Sequence, residues 1–116
     1  MRTIIAGGRD YDDWSDFEGY VDEFRASIVS GMSVVSGMAR GADSLAVRYA
    51  EENELRLYEF PADWDKHGKS AGHIRNSHMA AHAEALLAFW DGKSKGTKNM
   101  IDRAVGKGLL VKVVRY

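Results

Sequence analysis

Three glycine-containing segments of this chain carry positively charged side chains, a combination suited to holding an anion. The segments are Gly7–Asp10, Gly37–Asp43 and Asp91–Thr97, and each directly follows an apolar run. Glycine lets backbone N–H groups approach a ligand closely, and a helix N-terminus adds unpaired N–H donors and a favourable dipole. Because Arg and Lys supply counter-charge, the pattern indicates a site for a phosphate-bearing ligand held without a metal. The candidate ligand-binding residues in these segments are Gly7, Gly8, Arg9, Asp10, Gly37, Ala39, Arg40, Gly41, Asp43, Ser94, Lys95, Gly96 and Thr97.

A purely structural explanation stays open for each of these segments taken singly, because tight turns after strands commonly need glycine. The prediction of a ligand site therefore depends on all three segments meeting at one edge of the sheet. Neither a P-loop (GxxxxGK[ST]) nor a GxGxxG fingerprint is present, so the sequence lacks the motif of an ordinary NTPase or dehydrogenase.

A fourth polar segment, Phe60–Asn76, contributes three further candidate ligand-binding residues: Trp64, Arg75 and Asn76. We expect a loop with a buried Trp64 that enters a helix near Gly72. Arg75 and Asn76 would then lie in the first turn of that helix and point towards the other segments. A surface salt bridge for Arg75 and a helix-capping role for Asn76 are the open alternatives.

The elements that must position these residues alternate between strand and helix. Short apolar runs rich in β-branched and aromatic residues predict five strands, at Thr3–Ala6, Ser33–Ser36, Leu55–Phe60, Ala85–Trp90 and Leu109–Val114. Between them, apolar residues at steps of three and four predict helices over 17–28, after Asp43, over 74–79 and over 100–105, the last ended by Gly106 and Gly108. Such alternation predicts a parallel sheet with right-handed crossovers and helices on both faces.

The composition of the strands predicts their order in the sheet. The first, second and fourth runs are almost wholly apolar or small, as buried central strands are. The third contains Arg56 and Glu59 and the fifth contains Lys112, which is typical of edge strands. We therefore predict a single Rossmann-like α/β domain over residues 1–116, with a five-stranded parallel sheet in the order 3-2-1-4-5. Its ligand crevice would lie beyond the carboxyl ends of the strands, at the switch point between strands one and four.

The composition argues against several kinds of site and protein. The 116 residues include no cysteine, which excludes a disulfide scaffold, a Cys-ligated zinc site and a Cys nucleophile. The net charge of −1 argues against general nucleic-acid binding, and no apolar run is long enough to span a membrane, so we expect a cytoplasmic protein. His78 and His82 are four residues apart but lack an acidic partner, so we predict no metal and no cofactor. Asp13 or Asp16 would cap the first helix, whereas Asp10 could meet a ribose hydroxyl or a Mg-bound phosphate.

The motifs together resemble the YspA-like branch of the SLOG superfamily. The resemblance is carried, in order along nearly the whole chain, by segments 5–10, 36–43, 60–64, 72–76 with Met79, and 94–97. It is more distant to the "lonely guy" phosphoribohydrolases and to DNA-processing protein A. It implies a Rossmann-like domain that binds a nucleotide-derived ligand, related to a nucleotide, NAD or ADP-ribose, as a sensor or binding module.

Similarity to the phosphoribohydrolases also implies an alternative, an N-glycosidase that acts on nucleoside monophosphates. Their R-K-x-x-M motif resembles Arg75–Met79, with Asn76 in place of lysine, and Gly96-Thr97 matches the Gly-Thr of their P-G-G-x-G-T-x-x-E motif. The glutamate position of that motif falls on Met100, or on Asp102 if the register slips. The candidate catalytic residues are therefore Arg75 and Asp43, with Asp10 and Asp63 as further carboxylates. Because those enzymes are commonly dimers, we also expect self-association, with Trp64, Met79 and Trp90 as contact surface.

Overall fold

A computed structural model describes all residues from Met1 to Tyr116 and shows strands alternating with helices. In chain order the elements are β1 (Arg2–Gly7), α1 (Trp14–Ala26), β2 (Ser33–Ser36), α2 (Ala42–Glu52), β3 (Leu57–Glu59), α3 (Trp64–His67), a 3₁₀ turn (Gly68–Ser70), α4 (Ala71–Ala81), β4 (Ala85–Trp90), α5 (Lys95–Gly106) and β5 (Leu110–Arg115). All strand pairs are parallel and the sheet order is β3-β2-β1-β4-β5. The predicted fold class and strand order are confirmed.

The central strands divide the core into two layers, because successive side chains of a strand point to opposite faces of the sheet. Ile5 faces α1 and α2, where it packs in one apolar cluster with Phe17, Tyr49 and Phe89. Ile4 faces α4 and α5, in a second cluster that contains Met79 and Met100. Covered on both faces, β1 and β4 hold the glycine-containing loops at their carboxyl ends in fixed positions.

Local signals explain where two of the helices end. Helix α2 closes with Glu54 at φ +54°, and the Leu55 N–H donates to the Ala50 carbonyl at 2.8 Å. Helix α5 closes in the same manner, with Gly108 at φ +74° and the Leu109 N–H on the carbonyl of Ala104. This is the Schellman arrangement. It assigns Leu55 to the end of α2, which is why β3 is shorter than the predicted strand 55–60.

The segment after β3 differs from the prediction. It forms the short helix α3, in which the Asp63 carboxylate accepts from the Lys66 N–H at 3.1 Å, instead of a loop. Trp64 is 51% exposed and not buried as expected. Helix α4 begins at Ala71, so Arg75 and Asn76 lie in its second turn and not in its first.

The structure also corrects or refines the expectations for three single residues. Met79 is only 1% exposed, so it belongs to the core and offers no surface for self-association. Val105, expected on the apolar stripe of α5, is exposed. Asp13 caps α1 by accepting from the Asp16 N–H at 3.1 Å. No helix of the chain is both long enough and apolar enough to cross a membrane.

Candidate ligand-binding site

A cavity of about 430 Å³ opens at the carboxyl edge of the sheet, between the loops that follow β1, β2 and β4 and one side of α4. Its size falls within the usual range for small-molecule sites. The predicted site residues that line it are Gly7, Gly8, Arg9, Asp10, Ala39, Arg40, Asp43, Trp64, Arg75, Asn76, Ser94, Gly96 and Thr97. Gly37, Gly41 and Lys95 were also predicted and are not part of its lining.

The charged side chains around the cavity favour an anion. Four cationic side chains line it, those of Arg9, Arg40, Lys69 and Arg75, against three carboxylates, those of Asp10, Asp43 and Asp91. The whole chain carries a net charge of −1, so positive charge is concentrated at this edge of the sheet. A concave site lined by an excess of one sign raises the local concentration of oppositely charged ligands.

The start of α5 carries free backbone donors, and Gly96 lines the cavity. The Ser94 hydroxyl caps this helix by accepting from the Thr97 N–H at 3.3 Å, and it lies 3.1 Å from the Thr97 hydroxyl. The N–H groups of Lys95 and Gly96 lie in the first turn, where no helical acceptor exists, and no other acceptor meets them. A Cβ built on Gly96 would contact nothing within 4 Å, so the approach to these donors is open.

Asp91 shapes the turn that leads into α5. Its Oδ1 accepts from the N–H groups of Lys93 and Ser94, both at 2.8 Å. These two donors lower the pKa of the Asp91 carboxyl below its ordinary value. The carboxylate is thus committed to holding the turn, which sets the Ser94 cap in place.

Asp43 and Arg75 form the interior of the site on the β2 side. Asp43 is buried, and its Oδ2 accepts from the Ala39 N–H at 3.3 Å. The pKa of Asp43 is raised because burial outweighs the opposing effects of Arg75 and of the backbone N–H groups of Ala39 and Gly7. Burial likewise lowers the pKa of Arg75, although the charge of Asp43 opposes that shift. The two charges are close enough to influence each other but make no direct ion pair.

Gly37 explains how these two side chains come together. The Arg75 guanidinium donates to the Gly37 carbonyl at 2.5 Å. A Cβ on Gly37 would lie 2.5 Å from Arg75 Nη1 and 2.9 Å from Asp43 Oδ2. A side chain at Gly37 would therefore displace the Arg75 guanidinium, although Gly37 itself contributes no surface to this cavity.

Gly41 has a similar structural role one turn further on. Its backbone has φ +77° and ψ −133°, and a Cβ there would overlap the Gly8 carbonyl. That carbonyl accepts from the N–H groups of Ala42 at 3.2 Å and Tyr11 at 3.3 Å. The first N–H of α2 is thus used to hold the β1–α1 loop.

Asn76 links the cationic side of the site to α5. Its Oδ1 accepts from Arg75 Nε at 3.0 Å, and its Nδ2 contacts the Gly96 carbonyl at 3.3 Å and Asn99 Oδ1 at 3.0 Å. Because it lies within α4, it is not a helix cap. It fixes Arg75 relative to the first turn of α5.

Asp10 is held by a residue from the other end of the chain. The Tyr116 hydroxyl donates to Asp10 Oδ1 at 3.0 Å, and a Cβ on Gly8 would overlap that hydroxyl. Burial and the hydrogen bond to Asp10 raise the pKa of Tyr116 to about 12. One oxygen of Asp10 is therefore already engaged, and the other is available to a ligand hydroxyl.

The cavity is also lined by residues that the sequence analysis did not single out for ligand binding. The additional lining residues are Ala6, Lys69, Gly72, His73, Met79, Asp91 and Met100. Lys69 and His73 stand in the polar segment 60–76, where their charge and position near Arg75 were an available signal. Asp102 pairs with Lys98 at 2.6 Å outside the cavity, so a shift of register does not restore a carboxylate at the Met100 position.

Some residues considered for catalysis or metal binding lie away from the cavity. Asp63 does not line the cavity. No group of three or more His, Asp or Glu side chains is arranged to hold a metal ion. His82 is directed back to α4, where its Nδ1 lies 2.7 Å from the His78 carbonyl oxygen. The carboxylates that can reach a molecule in the cavity are those of Asp10, Asp43 and Asp91.

The parallel sheet, its switch point and a cation-lined cavity at the carboxyl edge define a Rossmann-like α/β protein. The chain belongs to the YspA, cpYpsA-related SLOG family, whose sequence model matches residues 1–67. It is also 38% identical over 117 residues to the Gene 61 protein of Mycobacterium phage D29, a match that covers 95% of this chain and 93% of the phage protein. Membership of this family indicates a nucleotide-related binding or processing role.

Proposed function

We propose that this protein binds a nucleotide-derived, phosphate-bearing ligand, related to a nucleotide, NAD or ADP-ribose, and that it acts as a sensor or binding module. The observation that carries the proposal is the meeting of four cationic side chains with the free Gly96 N–H at the start of α5 in one cavity. Cationic side chains and helix N-termini are the usual partners of phosphate in proteins. The site would lie at the carboxyl ends of β1, β2 and β4.

Each side chain has a defined part in this proposal. The N–H groups of Lys95 and Gly96 would donate to phosphate oxygens, with the Thr97 hydroxyl beside them. Arg9, Arg40 and Arg75 would neutralise ligand charge. The free oxygen of Asp10 would accept from a ribose hydroxyl.

A thermal-shift screen tests the proposal. The panel contains AMP, ADP, NAD, ADP-ribose and cyclic nucleotides. A ligand at 100 times its Kd adds about 2.7 kcal/mol to the free energy of unfolding. For a chain of this length that corresponds to a rise in Tm of roughly 10 °C. No shift with any compound would contradict the proposal.

A matched pair of variants tests whether the ligand that raises the Tm binds in the cavity. Arg40 lines the cavity and makes no hydrogen bond or ion pair, so Arg40→Ala should leave the fold intact and reduce the ligand-induced shift. Arg103, an exposed arginine of α5 outside the cavity, provides the control variant Arg103→Ala. Equal shifts in the two variants would place the ligand elsewhere on the protein.

Asp43 supports a second candidate, N-glycosidic hydrolysis of a nucleoside monophosphate. A buried carboxyl with a raised pKa beside an arginine is the kind of group that transfers protons in active sites. In this reaction the bond between C1′ and the base nitrogen breaks and water adds to C1′. Asp43 would take the proton from water and pass it to the departing base nitrogen, so the products would be the free base and ribose 5-phosphate. Arg75 would hold the phosphate.

Chromatography separates the two candidates. The hydrolase predicts release of free base from a bound nucleotide, and loss of that release in Asp43→Asn with binding retained. Binding without any release of base favours the sensor. Hydrolysis is the second candidate because Met100 stands at the position of the phosphoribohydrolase glutamate, and a methionine side chain cannot take up a proton.

Self-association and a cytoplasmic location stay predictions. Trp90 is partly covered by Arg115, whose guanidinium lies 5.0 Å from the ring centre, and its Nε1 donates to the Ser94 carbonyl at 3.1 Å. Trp64 is the most exposed of the three residues expected at a dimer contact. Size-exclusion chromatography with light scattering would measure the oligomeric state directly.

A further inference from the structure

A second cavity of about 410 Å³ adjoins the first and opens on the β3 side of the site. It is bounded by the loop after β2 and by the segment that follows β3. Five residues line both cavities and so form the boundary between them: Arg9, Ala39, Arg40, Trp64 and Arg75. A ligand that passes this boundary would meet three cations and one aromatic ring.

The second cavity differs in chemistry from the first. Besides the shared residues it is lined by Gly37, Met38, Pro61 and Ala62, and it contains no carboxylate. Met38 and Trp64 are both large apolar side chains that remain exposed to solvent. An apolar wall with cations at one side suits a flat, uncharged ring that is attached to an anion.

Trp64 is held in place although its indole is half exposed. Its helix α3 is capped by Asp63, and the indole edge lies against α4, where a Cβ on Gly72 would be 3.6 Å from Cη2. The same Cβ would lie 4.0 Å from Arg75 Nη2, so the indole edge and the guanidinium both approach Gly72. An exposed aromatic face in a cavity that also contains an anchored guanidinium is suited to stacking a base.

Met38 adds a second indication that this loop is built for contact. Its φ of +61° is unusual for a residue that carries a side chain. Backbone strain of this kind persists where the surroundings hold it, and it is concentrated at ligand sites. Its thioether is a polarisable group that packs well against aromatic rings.

We propose that the ligand spans both cavities: its phosphate lies at the start of α5, and its nucleobase or other flat heteroaromatic ring stacks on Trp64 in the second cavity. This inference rests on the proposed function and adds to it the position and class of the non-phosphate part. It predicts that affinity depends on the ring and not on the phosphate alone.

Paired compounds test the ring contribution. Isothermal titration of the purified full chain would use AMP, ADP-ribose and ribose 5-phosphate, the last of which lacks the ring. We expect AMP or ADP-ribose to bind wild-type protein at least tenfold more tightly than ribose 5-phosphate. Trp64→Ala should weaken the ring-bearing ligand about tenfold and leave ribose 5-phosphate unchanged. Trp64→Phe, which keeps an aromatic face, should restore most of the affinity.

The control is Trp14→Phe, because Trp14 lies on α1 against Phe17 and lines neither cavity. Ligand-induced quenching of tryptophan fluorescence should persist in Trp14→Phe and be strongly reduced in Trp64→Phe, where only Trp14 and Trp90 remain. If ring-bearing and ring-free compounds bind equally well, or if Trp64→Ala weakens both alike, the stacking subsite is refuted while phosphate binding stands. If none of the three compounds binds wild-type protein and no compound of the thermal-shift panel does, the proposed function fails and this inference fails with it.

Discussion

Replacing Gly96 by aspartate should make the protein more stable and at the same time unable to bind its ligand. Gly96 is the second residue of α5, and a Cβ there meets nothing within 4 Å, so a side chain fits without displacing any atom. Removing a helical glycine gains about 0.5–1 kcal/mol. A carboxylate in the first turn of a helix gains roughly a further 0.3–1 kcal/mol from the dipole.

These gains can be converted into an expected shift in melting temperature. The unfolding entropy of a chain of this length is roughly 0.24 kcal/mol per kelvin. A gain of about 1 kcal/mol therefore raises the Tm by about 4 °C. The introduced carboxylate would also stand where the ligand phosphate is expected. At a separation of ~5 Å and an effective dielectric constant near 20, each pair of like unit charges costs about 3 kcal/mol, or roughly a hundredfold in affinity.

Gly96→Ala separates the two effects because it adds a Cβ without a charge. Differential scanning calorimetry would measure the Tm of both variants, and isothermal titration would measure the affinity for the compound that shifts the wild-type Tm. We expect both variants to be more stable than wild type, and only Gly96→Asp to lose binding by about a hundredfold. Unchanged affinity in Gly96→Asp would refute the placement of phosphate at the start of α5.

Three further substitutions follow from the contacts in the site. Gly37→Ala should displace the Arg75 guanidinium from the Gly37 carbonyl, lower the free energy of unfolding by about 1–2 kcal/mol and weaken binding, as denaturant titration and calorimetry would show. Asp43→Asn should become more stable relative to wild type as pH rises above 4, because the raised pKa of Asp43 makes its ionisation destabilising; equal pH dependence would contradict this. Tyr116→Phe should lose less stability than wild type between about pH 10 and 12. In that interval Tyr116 ionises in the unfolded chain, whereas in the folded protein its burial and its hydrogen bond to Asp10 keep it protonated.

The sign of the two pH effects follows from which state binds the proton more tightly. The pKa of Asp43 in the folded protein lies above its value in the unfolded chain, so the folded state holds the proton more strongly and loses stability as pH rises through that interval. Tyr116 behaves in the same way between its ordinary value of 10.0 and about 12. Each unit of pKa difference is worth about 1.4 kcal/mol for a fully buried group, and less for Tyr116 because it is partly exposed to solvent.

The sheet could be predicted from the sequence because each strand is marked by residues that are neighbours in the chain. The strands 33–36 and 85–90 occur where their apolar runs stand, and the charges of Arg56 and Lys112 correctly indicate the two edges. Right-handed crossovers then leave few possible orders. The convergence of the three glycine-containing loops follows from that topology, since parallel strands end at one edge.

The details that the sequence did not reveal depend on contacts between distant residues or on very short elements. Tyr116 reaches Asp10 across nearly the whole chain, and no local pattern indicates that pairing. Helix α3 has four residues, too few for a periodic signal, so the exposure of Trp64 could not be inferred from its hydrophobicity. Gly37 and Gly41 were predicted from residue type alone, which gives no sign of the close approaches to Arg75 and to the Gly8 carbonyl that the structure shows at these two positions.

The most direct test of phosphate binding at the carboxyl edge is a ¹H–¹⁵N spectrum of the isotopically labelled protein, recorded during titration with the compound that gives the largest thermal shift. The amide resonances of Lys95 and Gly96 should move most, because their N–H groups would gain phosphate oxygens as acceptors, and ribose 5-phosphate should move the same two resonances. Saturable binding that leaves both resonances in place and moves those of residues outside the cavity would contradict the account.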